Sequence, residues 1–304
     1  MKKTYFLLAV CLIVAIGALW LAQTRVKPQL GEPSQKNQSN DQIKIAASFY
    51  PLAEFAKQVG GEHVSVSNLT PAGIDPHDYE PLPQDLSVLY SSQLVFANGA
   101  GLDSWLDKLK NDLSSKGIIV VVMADLVGTP PDPHFWLDPN LAKQQLVIIR
   151  DQLVKLDPVH KEQYINNANN YLNQLAELDN SYKSGLAQCT NRTVVIAHDS
   201  FGYLAKAYNL RQLPIAGLSP DHEPANQDLA AIIETVKQEQ VQAVYFESLD
   251  NSKLTETIAQ ETGAQVLELN PLEGLTAEQL DKGANYLSEM KNNLANLRKG
   301  LRCN

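Results

Sequence analysis

From Asp157 to Gln188 the chain carries one continuous helical pattern, with Pro158 suited to a first turn and apolar residues at Ile165, Ala168, Leu172, Leu175, Leu178, Tyr182 and Leu186. At the rise of an α-helix this run spans roughly 45 Å, enough to cross a two-lobed molecule from end to end. The pattern covers too few heptads to require a coiled-coil partner, so it reads as a rigid linking helix. The residues on either side, 43–156 and 189–304, are then expected to form two separate lobes, with 157–188 between them.

Both flanks repeat one alternation of short apolar runs with helical patterns. In the first, Ile43 to Phe49 reads as a strand, and Pro51 to Val59 as a helix with Leu52, Phe55, Ala56 and Val59 on one face, ended by Gly60-Gly61. Val64 to Leu69, Leu94 to Ala97 and Ile118 to Met123 are further strands with helices between them, and Leu146, Ile149, Leu153 and Leu156 mark a closing helix. In the second, strands at Thr193 to Ala197, Ala243 to Phe246 and Gln265 to Leu269 alternate with helices at Phe201 to Tyr208, Asn226 to Glu239, Ser252 to Thr262 and Ala277 to Leu301. The fold class is therefore α/β, two lobes with mostly parallel sheets and a cleft between them.

The N-terminus is of another kind. Met1-Lys-Lys precedes an uncharged apolar run from Tyr5 to Ala22, followed by Arg25 and Lys27, which makes residues 1–26 a signal peptide or membrane anchor and the chain an exported one. Cys11 comes too early to follow a full signal, so lipidation there is disfavoured. Residues 27–42 are polar, with Pro28, Gly31 and Pro33, and form a tether. The chain as a whole has 44% hydrophobic and 19% charged residues, which fits a globular protein, and its net charge of -9 argues against nucleic acid while leaving a surface that tolerates cations.

Three of the six histidines stand where chemistry is expected. His77 sits in Asp75-Pro-His-Asp-Tyr-Glu-Pro81, His134 in Asp132-Pro-His-Phe-Trp-Leu-Asp-Pro139, and His198 at the end of the run Val194 to Ala197. Ligands in open α/β sheets bind beyond the carboxyl ends of strands, and His198, Glu247 and Asn270 all fall at such ends. Neutral imidazole is the commonest metal ligand, and three of them suit zinc better than calcium or magnesium, which prefer oxygen. The proline before His77 and before His134 stiffens each turn and lowers the entropy lost on fixing a ligand. His63, His160 and His222 lie in contexts that read as ordinary surface.

Cys189 and Cys303 are the two cysteines left once the signal segment is set aside, and an exported chain with such a pair invites a disulfide. Neither lies in a CxxC motif.

From Ile43 to Cys303 the chain resembles the metal-specific solute-binding proteins of ATP-binding-cassette importers, the zinc and manganese receptors of bacteria. The resemblance rests on Asp75-Pro-His-Asp-Tyr-Glu-Pro-Leu-Pro, His134-Phe-Trp-Leu-Asp-Pro, Ala197-His-Asp-Ser-Phe-Gly-Tyr-Leu and Glu261-Thr-Gly, in the family's order and spacing. It implies two α/β lobes joined by one long helix with the ion buried between them, His77 and His134 coming from the first lobe and His198 from the second. Histidine at the third position marks the zinc receptors, where many manganese receptors carry Glu. The fourth position is usually Asp; here it is Asn270, a neutral oxygen donor that leaves the loaded site one charge more positive. Asn270, water or Glu247 are the candidates for that place, with Glu247 better read as a residue that orients a histidine. The His-rich loop of some zinc receptors does not follow Val127.

The expected function is an extracytoplasmic, monomeric receptor that captures zinc, or less readily manganese, and hands it to a membrane permease without catalysing a reaction. A zinc hydrolase is the rival of another class, since it would also use three protein ligands; the sequence holds no HExxH motif to support it. An adhesin role finds no repeat or exposed apolar module behind it.

Overall fold

The computed structural model describes residues 42–128, 131–219, 224–249 and 253–304. The expected signal or anchor, most of the tether, and His222 lie outside the described residues. Among the described residues no helix is long and apolar enough to cross a membrane.

Two four-stranded sheets carry the fold, every pairing parallel. In the first, β1 (Ile43–Ala47), β2 (Val64–Asn68), β3 (Leu94–Ala97) and β4 (Ile119–Val122) lie in the order β2-β1-β3-β4. In the second, β5 (Thr193–Ile196), β6 (Arg211–Pro214), β7 (Ala243–Phe246) and β8 (Gln265–Glu268) lie in the order β6-β5-β7-β8. The two lobes thus share one topology, and in each the strand order reverses at the central pair, β1 with β3 and β5 with β7. That reversal opens a crevice at the carboxyl ends of the central strands.

The linking helix runs from Lys161 to Gly185, preceded by a 3₁₀ turn at Pro158–His160. It is shorter than the expected 157–188, because Asp157 caps the 3₁₀ turn by accepting the Val159 N–H and Cys189 is drawn into a bridge with Cys303. Its buried stripe is Tyr164, Ala168, Tyr171, Leu175, Leu178 and Tyr182, so the tyrosines displace Ile165 and Leu172 from the expected face. Asn167 Nδ2 donates to the Val59 carbonyl in the first lobe, while Tyr182 Oη donates to the Met290 carbonyl and Tyr208 Oη to Asp179 Oδ1 in the second. One hydrophobic core containing Phe55, Trp136, Tyr182, Tyr245 and Tyr286 therefore continues through both lobes along this helix.

Two further elements differ from expectation. Strand β6 has no apolar run and holds Pro214, which suits its place at a sheet edge and kept it from being read. The expected terminal helix from Ala277 to Leu301 is two helices, Ala277–Asp281 and Tyr286–Gly300. Gly283, with φ 80°, turns the chain between them, and the Asn285 side chain caps the second by accepting the Ser288 N–H at 3.0 Å. A disulfide joins Cys189 to Cys303 and closes the second lobe on itself.

Candidate metal centre

Two copies of one turn build the first lobe's contribution. In Asp75-Pro-His77 the Asp75 Oδ1 accepts the His77 backbone N–H at 2.8 Å, and in Asp132-Pro-His134 the Asp132 Oδ1 accepts the His134 N–H at 2.9 Å. Such an aspartate replaces a backbone turn, and the proline between has no N–H to satisfy. Asp132 Oδ1 also lies 2.8 Å from His134 Nδ1, leaving Nε2 to face the cleft. Asn98, just after β3, donates through Nδ2 to the Pro133 carbonyl at 3.0 Å and so ties the second turn to its sheet.

In the second lobe His198 follows β5 and Glu247 follows β7, the pair at which the strand order reverses. Glu247 Oε2 stands 2.6 Å from His198 Nδ1, and its Oε1 accepts the His198 N–H at 3.4 Å. Glu247 thus orients a histidine, as expected, and its side chain is 2% exposed.

The structure brings His77, His134 and His198 together, but it does not put Asn270 beside them. The expectation for the fourth position is not met: the group that stands with the three histidines, and could hold an ion with them, is Glu273. Asn270 Oδ1 is already used, accepting the Leu272 N–H at 2.8 Å in a turn that sends the chain through Leu272 at φ 58°. That left-handed conformation, which costs a residue with a Cβ roughly 1–2 kcal/mol, carries the next side chain, Glu273, into the cleft. Two signals could have found it, an acidic residue between Pro271 and Gly274 and its place just past the last strand. The strand-end rule instead stops at Asn270.

Glu273 Oε1 lies 3.2 Å from His77 Nε2, 3.1 Å from His134 Nε2 and 3.2 Å from His198 Nε2. His134 Nε2 is 3.2 Å from that of His77 and 3.3 Å from that of His198. A regular tetrahedron with arms of about 2.0 Å, the length of a zinc bond to imidazole nitrogen or carboxylate oxygen, has edges of about 3.3 Å. Five of the six separations among the four atoms therefore match the edges of a zinc coordination shell, and all four atoms lie within 4.8 Å of one another. His134 and His198 are fully buried and Glu273 is 2% exposed, while His77 alone keeps 10% of its side chain open.

The electrostatics match a cation. Burial works against the charged form of Glu273, yet His198, His134 and His77 outweigh it and hold the carboxyl well below the usual carboxylate range. Burial likewise works against a charged His198, but Glu247 and Glu273 prevail and raise it above the ordinary imidazole range. His134 moves up as well, burial being overcome by Asp132 and Glu273. The other described histidines are elsewhere: His63 and His160 stack on each other with ring centroids 3.8 Å apart and are not part of this cluster.

Comparison with known proteins places the chain among relatives. The family described as zinc-uptake complex component A, periplasmic (ZnuA), matches residues 45–300. The chain is 35% identical over 281 residues to the high-affinity zinc uptake system protein ZnuA of Bacillus subtilis, covering 86% of this chain and 88% of that protein. It is 34% identical over 285 residues to the zinc-binding lipoprotein AdcA of Streptococcus pneumoniae, covering 87% of this chain but only 57% of the relative. Among solved structures, the Zn(II)-bound ZnuA-like domain of Streptococcus pneumoniae AdcA is similar with a TM-score of 0.76 and 36% identity, over 86% of this chain and 99% of that domain.

Proposed function

The chain belongs to the periplasmic zinc-uptake component A family, and we propose that it is the extracytoplasmic receptor that captures zinc and delivers it to the membrane permease of an ATP-binding-cassette importer. One observation carries this reading: four protein atoms, three imidazole nitrogens and one carboxylate oxygen, lie within 4.8 Å of one another between two lobes, with five of their six separations close to the edge of a zinc tetrahedron.

A hydrolytic zinc site keeps three protein ligands and an open position for water. Here Glu273 fills the fourth corner, so the shell is closed by the protein and the ion is held as cargo. Manganese favours oxygen-rich, six-coordinate surroundings, whereas a nitrogen-rich tetrahedron suits zinc. All four donors come from one chain, so a single copy is sufficient, and the Cys189–Cys303 disulfide agrees with an oxidising compartment outside the cytoplasm.

Calorimetric titration of the chelator-stripped protein with zinc and with manganese, alone and in competition, tests the reading. One zinc per chain, not displaced by equimolar manganese and lost in His134→Ala, is the expected result. Displacement of zinc by manganese, or unchanged zinc affinity in His134→Ala, would overturn it.

A further inference from the structure

We propose that Asn270 is a positioning residue: it does not meet the ion but fixes the stretch of backbone from which Glu273 reaches it. The inference rests on the zinc reading above and deepens it.

The loop from Asn270 to Leu275 is held at nearly every residue. Asn293, on the last helix, accepts the Asn270 N–H through Oδ1 at 2.8 Å and donates from Nδ2 to the Asn270 carbonyl at 2.7 Å. Asn270 in turn accepts the Leu272 N–H, and that bond maintains the left-handed turn just before Glu273. The Pro271 carbonyl accepts the indole N–H of Trp136 at 2.7 Å, and the Trp136 carbonyl accepts the Tyr286 hydroxyl at 2.6 Å. Gly73, in the loop that leads to His77, donates its N–H to the Leu275 carbonyl at 3.1 Å. Asn270 and Asn293 are each 2% exposed, so water does not compete for these bonds.

A short polar side chain was needed at position 270 for this purpose, not for metal. With its oxygen committed to Leu272, the asparagine keeps the carboxylate in place before the ion arrives, so that little ordering remains to be done on binding. Because Trp136 lies two residues from His134 and bonds to the residue next to Asn270, the same clamp sets the separation of His134 and Glu273 across the lobes.

A double-mutant cycle read by zinc release into excess chelator separates positioning from general stability. Asn270→Ala should speed release from the chain by about tenfold, the lower end for residues that support a ligand, and should add nothing in a Glu273→Gln background. Asn270→Asp, which retains an oxygen for the Leu272 N–H, should release zinc near the wild-type rate. The cobalt(II) visible spectrum of saturated Asn270→Ala should keep the wild-type bands, since its donors are unchanged. If Asn270→Ala does not accumulate as folded protein, Asn293→Ala, which removes the same clamp from the helix side, replaces it in the cycle. An unchanged release rate in Asn270→Ala, or equal acceleration in both backgrounds, would overturn the proposal while leaving the zinc reading intact. Markedly slower release in Asn270→Asp would make residue 270 a ligand and would overturn it too. Absence of zinc binding by the wild type would overturn both.

Discussion

Removing the disulfide should destabilise the protein without altering how its folded form holds zinc. Cys189 and Cys303 are separated by 114 residues, and the loop they close contains the whole second sheet with both of its contributions to the site, His198 and Glu273. Chain-entropy reasoning for a loop of that length gives about 4.8 kcal/mol of stabilisation, exerted mainly on the unfolded ensemble. For a folded chain of this size that converts to a fall in Tm of roughly 10 °C. The folded state should survive the loss, because Thr190 N–H donates to the Arg302 carbonyl, Asn191 N–H to that of Leu301 and Asn304 N–H to that of Gln188 whether or not the sulfurs are joined. Urea and thermal unfolding of the metal-free Cys189→Ala/Cys303→Ala double variant, beside the oxidised wild type, measures the difference, and titration of the folded variant measures its zinc affinity. Coincident unfolding midpoints would refute the entropic argument. A zinc affinity that falls with the bond would show that the crosslink shapes the site itself.

Three other outcomes can be checked. Since Glu247 and Glu273 raise His198 against the opposing effect of burial, and a ligating imidazole must be neutral, zinc binding at pH 7 should release protons; affinity should rise about tenfold per pH unit for each proton displaced. Calorimetry in buffers of different ionisation enthalpy counts those protons, and a flat affinity above pH 7 would contradict the assignment. Glu273→Gln keeps an oxygen but removes the only charged donor, and should weaken zinc by about 100-fold or more, beyond the loss expected for a supporting residue; direct titration decides it. Gly300→Ala would place a Cβ 2.7 Å from that of Ala243 and against the Tyr245 hydroxyl, and should cost about 1–3 kcal/mol in urea unfolding while leaving zinc affinity unchanged.

What the sequence disclosed followed from periodicity and local context. Buried parallel strands such as Leu94–Ala97 are apolar throughout, and the Asp-Pro-His turns mark themselves through a short-range chemistry that needs no tertiary knowledge. Glu247 was legible because it directly ends a strand. Glu273 was not, since its arrival in the cleft depends on the φ of Leu272 and on Asn293, a residue twenty positions further along that bonds to Asn270. Strand β6 escaped notice for a related reason: an edge strand satisfied by one neighbour needs no apolar run to signal it. The break between the last two helices depended on a single glycine, and isolated glycines within a helical pattern are often tolerated.

The four donors are also spread along the chain, at 77, 134, 198 and 273. A nascent or translocating polypeptide therefore has no complete coordination shell until Glu273 has emerged and the helix Tyr286–Gly300, with its Asn293, has docked. A chain that crosses a membrane unfolded cannot bring an ion with it. The compartment in which the segment from Glu273 to Gly300 folds, and not the one in which synthesis begins, decides which pool of metal the protein first meets.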